Sequence, residues 1–423
     1  MNNIYLSAKI IETVLDKDII FSLAIHHVLD KLKEEKEDKK TASALAGCAL
    51  RHYYLFNRLV DDNLPDLTKE QKYIAFSYLA DLIFVNKINE KERDEYFICH
   101  LQEQDYPLDT AKVENLKKVV SDKSHLIPES INRNSIEFLS LRYNVEPWLI
   151  TMWRRHFSDK NTRLILKANC KSPATYCRLN NVQAEDLIKD YPEFKKCEFD
   201  GYVRYENKNS LKKHMAYENM QVFRLSPVYK KIFENVDLDI LKGIAIYGGS
   251  SISGPLIEMI VRLSSSLPVE AILSNSENYF DTQRLCHNLK LHNVNTYQAS
   301  AEQILTVLSK PVHVFCVVPE NTHFDLLRIY PDFSLKFKRD QIDEILMKQN
   351  VALNEASQHL DNDGYLVYIV PTLNQKEGHR MITSFLEAHK EFSLIEEEQF
   401  FPFDKYDASL YYAVMQKGEN HHD

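Results

Sequence analysis

Several things are scarce in this chain. It holds 9 glycines and 2 tryptophans in 423 residues. Its seven cysteines, Cys48, Cys99, Cys170, Cys177, Cys197, Cys286 and Cys316, form no CxxC pair and are odd in number, which fits reduced thiols better than a disulfide framework or a zinc site. The histidines, among them His26-His27, His100, His287 and His292, repeat at no ligand spacing, so no metal is implied. No long apolar run opens the chain: Glu12, Asp16 and Asp18 interrupt the first twenty-odd positions, which excludes both a secretory core and a membrane span and leaves the cytoplasm as the expected compartment. There is no internal repeat or low-complexity stretch. Nor is there an overall positive charge. A formal charge of −9 argues against indiscriminate binding to polyanions.

At 423 residues and 44% hydrophobic, the chain can bury a large core divided among two or three domains. The scarcity of glycine and proline is sharpest in the first third, which reads as helix after helix. Leu6, Ile10, Val14, Ile20, Leu23, Ile25 and Val28 recur at helical spacing with a break near Asp16 to Asp18. Further helices are expected around Ala44 to Arg51, over Lys69 to Phe84 and in pieces from Lys91 to Val120. The charged run Glu34 to Lys40 is expected to be a solvated loop or helix end. An all-α domain is therefore expected over 1–130.

From Arg133 the texture changes to shorter elements rich in tyrosine and basic residues. Arg142 to Lys231 carries 18 Lys/Arg against 10 Asp/Glu, a local net of +8, so the rest of the chain carries −17. This is expected to form a small α/β connector over 131–225. Beyond it, the apolar runs Gly243 to Tyr247, Val269 to Leu273, Val312 to Val318 and Gly364 to Val370 read as buried parallel strands. Amphipathic helices such as Leu256 to Leu263 and Arg339 to Leu360 separate them, and Ser409 to Gln416 reads as a closing strand near the sheet edge. The segment 226–423 is thus expected to be a doubly wound α/β domain.

The residues resemble those of the RsmB-type (Sun, formerly Fmu) ribosomal RNA 5-methylcytosine methyltransferases, over nearly the whole chain. The resemblance rests chiefly on Tyr143-Asn144-Val145-Glu146-Pro147-Trp148-Leu149, Trp153, Ala168-Asn169, Pro173 and Arg178-Leu179-Asn180. It is extended by Arg328-Ile329-Tyr330-Pro331-Asp332, by Gln349-Asn350 ahead of Asp363-Gly364, and by the acidic helix start at Glu377. Gly47 to Arg51, with Leu55, Leu59 and Asp62, looks like a NusB-type helix. The resemblance implies a NusB-like helical domain joined through the connector to a Rossmann-like methyltransferase domain that uses S-adenosylmethionine.

In that family the cofactor lies on the turn after the first strand, here Tyr247-Gly248-Gly249-Ser250-Ser251-Ile252-Ser253-Gly254-Pro255. Glycines allow close backbone approach, and Pro255 suits a first helical turn. The family's Asp-x-Cys-Ala-Ala-Pro-Gly-Gly-Lys pattern is not kept, however. Leu273 stands where a carboxylate would take the ribose hydroxyls, and Ser300 stands where another would lie near the adenine. Two readings follow. Either the glycines serve strand-to-helix geometry alone, or Gly248, Gly249, Ser250, Ser251, Ser274, Asn275 and Ser300 retain a weak cofactor contact.

The family's reaction needs a thiolate to add to carbon 6 of cytosine before carbon 5 becomes nucleophilic, and a second thiol to release the enzyme. The resemblance implies these cysteines at Pro371, within Val370-Pro371-Thr372, and at Glu320, within Val317-Val318-Pro319-Glu320. Neither is present. Val317 also replaces the family's base-binding aspartate. Cys316 falls inside an apolar strand and is expected to pack as a small hydrophobe, while Glu320 is expected to lie on the surface.

The basic connector, with Arg154, Arg155, Arg178, Lys212 and Lys213 foremost, suits phosphate contacts, and its aromatic residues suit stacking on unpaired bases. Arg328 joins this set through the resemblance. The plain alternative is that Trp148 and Trp153 are packing residues and the charges a solvated face. The expected function is an RsmB-like RNA-binding protein without cysteine-dependent catalysis, its RNA ribosomal. A SAM-dependent RNA methyltransferase with an atypical site and a protein-interaction scaffold without RNA affinity are the alternatives. The acidic helical domain also offers a surface for a protein partner.

Overall fold

The computed structural model describes residues 2–30, 36–207, 209–234, 236, 243–249, 253–263 and 267–418. It divides into two compact units, Met1–Lys171 with Leu326–Phe337, and Ser172–Asp325 with Lys338–Asp423. The first unit is helical. It contains α1 (Asn3–Leu15), α2 (Phe21–Leu29), α3 (Lys36–Arg51), α4 (Tyr53–Asn63), α5 (Lys69–Ala80), α6 (Glu90–Gln102), α7 (Thr110–Val120), α8 (Ile136–Tyr143) and α9 (Pro147–Asn169). The break near Asp16 to Asp18 falls where α1 gives way to α2. Asn2, Thr68, Asn89, Asp109 and Ser135 accept helix N–H groups at five of the starts, satisfying donors that have no partner within a helix. α9 is broken at Ser158, whose φ is +74°. Its first half buries Trp153 completely, at 0% exposure, which selects packing over base stacking for that ring. The Trp148 ring sits 6.4 Å from that of Phe337.

The short segment Leu326–Phe337 belongs to this unit through specific bonds. Asp332 accepts the Phe21 N–H at 3.3 Å, at the start of α2. Ser334 donates to the Asn144 carbonyl at 3.2 Å, and Lys336 pairs with Asp18 at 2.9 Å. Arg328 donates through Nε to the Lys171 carbonyl at 3.1 Å. These bonds give the Arg-x-x-Pro-Asp pattern a structural role.

The second unit opens with a four-stranded antiparallel sheet ordered β2-β3-β1-β4, built from β1 (Thr175–Leu179), β2 (Phe194–Lys196), β3 (Tyr202–Tyr205) and β4 (Val222–Arg224), with α10 (Ala184–Asp190), α11 (Met215–Glu218) and α12 (Val228–Phe233). The larger sheet follows: β5 (Ile244–Gly248), α13 (Ser253–Leu263), β6 (Val269–Leu273), α14 (Ser276–Leu289), β7 (Val294–Gln298), α15 (Ile304–Val307), β8 (Val312–Val318), then α16 (Phe333–Lys336) within the helical unit, α17 (Gln341–Gln358), β9 (Leu360–Val370), α18 (His379–Ala388), β10 (Phe392–Phe400) and β11 (Leu410–Lys417). Its order is β10-β11-β9-β8-β5-β6-β7. β5 to β9 run parallel, while β11 pairs antiparallel with β9 and β10. Apolar clusters lie on both faces, as parallel strands buried by helices on each side require. The doubly wound reading therefore holds, with an antiparallel pair added at one edge.

Arg178 on β1 links the small sheet to helix α13 of the larger layer. Its guanidinium pairs with Glu258 on α13, and Arg262 donates to the same carboxylate at 3.0 Å. Glu258 is fully buried, at 0% exposure. Removing one partner of a buried pair leaves a charge with too little compensation, which is more costly than the pair is worth. Arg178→Ala is expected to lower stability by about 3 kcal/mol, measured by urea denaturation.

Candidate functional site

In this topology the chain leaves β5 toward β6 on one side and returns at β8 on the other, so the carboxyl ends of β5 and β8 flank the switch point where ligands of doubly wound sheets bind. Here those ends stay closely joined. Beyond the pair Gly248↔Val318, the Gly249 N–H donates to the Val318 carbonyl at 2.8 Å. A Cβ on Gly249 would stand 2.6 Å from the Glu320 nitrogen and 3.0 Å from the Pro319 carbonyl carbon, so two main chains are in direct contact. On the other flank Ser274 N–H donates to the Gly248 carbonyl and Ala299 N–H to the Leu273 carbonyl, both at 3.2 Å.

The sequence-derived cofactor residues are placed as follows. Gly248 ends β5 and is buried. Ser250 and Ser251 lie outside the described residues. Tyr247, ahead of the glycines, is 6% exposed and shares a cluster with Ile272, Ala299, Ala301 and Ile304. Burial raises its phenol above the ordinary range, and the nearby Ser274 side chain and Ala301 main chain oppose that shift. Asn275 caps α14, accepting from Glu277 N–H at 2.8 Å and Asn278 N–H at 3.3 Å. Ser300 opens a short turn in a capping box with Gln303. Leu273 is wholly buried.

At the other end of the cleft, Glu320 is exposed, as expected, and pairs with Lys348 of α17 at 3.1 Å. Its carbonyl accepts from Gln349 Nε2 at 2.9 Å. Pro371 is buried where β9 ends. Cys316 is fully buried within β8, and burial pushes its thiol well above the usual range, making it inert. No group of three or more metal-ligating side chains occurs among the described residues.

The cluster at the β8 and β9 ends is organised by Glu377, whose carboxyl sequence reasoning passed over as a helix-start residue. It is 0% exposed. Oε1 accepts from Thr322 Oγ1 at 2.5 Å, Thr372 Oγ1 at 2.7 Å and Asn374 Nδ2 at 3.1 Å. Oε2 accepts from the Thr322 N–H at 2.8 Å and Gln349 Nε2 at 3.1 Å. The Tyr368 hydroxyl donates to the Glu377 carbonyl at 2.9 Å. These are neutral donors, drawn from the β8 loop, α17 and the β9 turn. The carboxyl thereby ties three separate segments together. The only sequence signal was an acid between Asn374 and Gly378, five residues after Thr372, and its neighbours Thr322 and Gln349 lie far away in the chain.

Among the basic residues, Arg155, Lys212 and Lys213 are exposed. Arg154 is engaged with Asp159 at 2.8 Å and with the Asn134 carbonyl at 2.7 Å. Arg178 and Arg328 are held by the contacts described above, so the structure assigns both a structural task.

No family model matches the chain, and no curated protein matches it. Solved structures do. PH0851 aligns with 99% of this chain and 99% of its own at 13% identity, with a TM-score of 0.73. NSun6 from Pyrococcus horikoshii, solved with SFG, covers 64% of this chain and 98% of its own at 13% identity and a TM-score of 0.56. A methyltransferase homolog protein from Pyrococcus horikoshii covers 67% and 98% at 15% identity, also with a TM-score of 0.56. At such identities the likeness establishes fold: a helical N-terminal region and a C-terminal mixed α/β sheet of the Rossmann-like methyltransferase type.

Two outcomes test this geometry. Gly249→Ala forces a methyl group into the Pro319-Glu320 main chain and is expected to cost about 2 kcal/mol, read from thermal unfolding. The second concerns Glu377, whose carboxyl burial raises above the ordinary 4.5 while its hydrogen bonds pull it back. As pH rises past 4.5, the unfolded chain gives up this proton while the folded protein keeps it, so stability falls until the folded group also ionises. The advantage of the wild type over Glu377→Gln is therefore expected to be greatest in acid. It should shrink as pH rises, by about 1.4 kcal/mol per unit of upward shift, in urea denaturation followed across that range. An advantage that grows with pH contradicts the raised carboxyl.

Proposed function

We propose that this chain is an RNA-binding protein built on the architecture of the RsmB-type methyltransferases and that it does not carry out cysteine-dependent cytosine methylation. The observation that carries this reading is the state of the two thiol positions. Glu320 and Pro371 stand there, and the space between the strand ends holds the Glu377 hydrogen-bond cluster. A carboxylate is a poor nucleophile toward carbon 6 of cytosine, and Pro371 offers no reactive group. Val317, buried in β8, supplies no hydrogen bond to a base edge. The described residues also do not fit S-adenosylmethionine. Leu273 and Ser300 supply no carboxylate for ribose or adenine, and the side chains of Asn275 and Ser300 already cap the following turns.

In this reading 1–130 is a NusB-like helical domain with room for a protein partner on its acidic surface, 131–225 is the basic connector, and 226–423 is the methyltransferase-like domain. The RNA is ribosomal, and its phosphates meet Arg154, Arg155, Lys212 and Lys213. The exposed Arg155, Lys212 and Lys213 are ready donors, whereas Arg154 must exchange its Asp159 contact for a phosphate.

The test is RNA binding by fluorescence anisotropy across a salt series. Arg154→Ala with Arg155→Ala is expected to weaken binding about 10-fold and to reduce the magnitude of the salt slope by about 2. Unchanged affinity and slope would remove the connector as the RNA surface, and transfer of a labelled methyl group to RNA would overturn the non-catalytic reading.

A further inference from the structure

The helical unit has one corner whose charge runs against that of its surroundings. Residues 1–130 hold 18 Lys/Arg against 23 Asp/Glu, and cations such as Arg58, Lys69, Lys72, Lys91 and Lys117 are each held by a carboxylate. Arg51, Lys123 and Arg142 are exposed and have no carboxylate partner among the described residues. They gather around an aromatic pair. Past Ala80, α5 widens into a π-helical turn, Asp81–Val85, an irregularity that is rare and recurs at functional sites. The turn is held from within. The buried Asp81 carboxylate accepts the Lys87 N–H at 2.8 Å and the Ile88 N–H at 3.3 Å, and it pairs with Arg93 at 3.2 Å. Phe84, on this turn, is left 39% exposed. The His52 imidazole lies flat against its ring, with centres 4.2 Å and planes 9° apart, and the buried Phe56 ring backs the two at 5.7 and 6.2 Å. The Lys123 ammonium stands 5.8 Å from the Phe84 ring centre, while the neighbouring Asp122 is engaged by Ser124 and His125. Arg51 directly precedes His52. Asn144 brings the end of α8, with Arg142, to the same corner, its side chain bonding the Leu50 carbonyl at 2.8 Å and the Tyr54 N–H at 3.1 Å. Burial first, then the charges of Arg51 and Arg142, push the His52 imidazole down to about 4. It is therefore neutral near pH 7 and adds a flat ring without adding charge.

We propose that the Phe84 ring, backed by His52, is a stacking site for an unpaired RNA base, with Arg51, Lys123 and Arg142 receiving the flanking phosphates. This rests on the RNA-binding reading above and adds to it a contact on the helical unit, distinct from the connector residues. An aromatic ring supported on one face and open to solvent takes a flat partner, and every base offers one. A cation over an exposed ring gains about 3-fold in affinity, whereas a stacked base gains about 10-fold or more. The base therefore displaces Lys123 from the ring and frees its ammonium for a phosphate. An acidic peptide would use the three cations and leave the ring unused; an unpaired nucleotide uses both.

The test uses the full-length protein and a short unstructured RNA carrying 2-aminopurine, whose fluorescence is quenched when it stacks. Binding to the wild type is expected to quench the probe. Phe84→Leu keeps apolar bulk over Phe56 and loses the aromatic face; it is expected to abolish the quench and weaken binding about 10-fold, whereas Phe84→Tyr keeps both. Lys123→Ala is expected to weaken binding a few-fold and to reduce the magnitude of the salt slope by about 1. Equal quench and affinity in the wild type and Phe84→Leu overturn the proposal. Should Phe84→Leu fail to fold, the other two variants decide: a quench lost in Phe84→Tyr, or a salt slope unchanged in Lys123→Ala, overturns it. If labelled poly-glutamate binds as tightly as the RNA and loses as much in Phe84→Leu, the corner takes an acidic peptide and the proposal also falls. The two readings fail separately. RNA affinity that depends on Arg154 and Arg155 but not on Phe84 removes the stacking site and leaves the connector surface, and the reverse dependence removes the connector and leaves the stacking site. A wild type without RNA affinity removes both.

Discussion

A buried carboxyl with neutral partners is costly to place, and it survives only where the surroundings satisfy it fully. Glu377 meets that condition through five donors drawn from the β8 loop, α17, the β9 turn and its own loop. Because these donors come from three separate stretches of chain, the carboxyl fixes the path of Pro319 to Thr322 after β8 and of Thr372 to Asn374 after β9 at once. Gln349 extends the tie by bonding the Glu320 carbonyl as well. The backbone of Glu320 is thus held in place, and it is this backbone that Gly249 touches from β5. The closed form of the strand ends depends on that chain of contacts.

The same loops would carry the reactive groups of a cytosine methyltransferase. A nucleophilic thiolate needs solvent access and a positive neighbourhood to lower its pKa; the nearest cysteine in sequence, Cys316, has neither, buried in the middle of β8. Where a reactive site would be open and electrostatically strained, this one is packed and satisfied.

Charge is distributed differently from what its linear pattern suggests. The connector segment is basic, yet its cations divide between two tasks. Arg178 compensates the buried Glu258, and Arg154 and Arg163 share Asp159 around the break in α9. Lys212, Lys213 and Arg155 face solvent and remain available to a polyanion. The boundary between the two units falls at Lys171 and Ser172, inside the basic segment. The helical unit also takes in Leu326–Phe337, where Asp332 accepts a hydrogen bond from α2.

Interior elements were legible because period and composition record burial. Val269–Leu273 and Val312–Val318 stand as strands with the limits their apolar runs suggested, and the break between α1 and α2 falls at the acidic interruption. The edge strands β7 and β10 left no such record. Val294–Gln298 is half exposed, and Phe392–Phe400 carries Glu396, Glu397 and Glu398, so neither presents a continuous apolar run. That Glu320 and Pro371 are not cysteines was likewise readable, because it is a matter of residue identity at two positions. What Gly249 and Glu377 do was not. Each acts through partners tens of residues away, as Glu377 does with Thr322 across 55 positions, and local patterns carry no information about such pairs. The sequence by itself determined the layers and the basic segment; only the tertiary structure decided that Gly249 meets the Glu320 backbone and that Glu377 gathers Thr322, Gln349, Thr372 and Asn374, because such contacts depend on which segments the folded strand ends bring together.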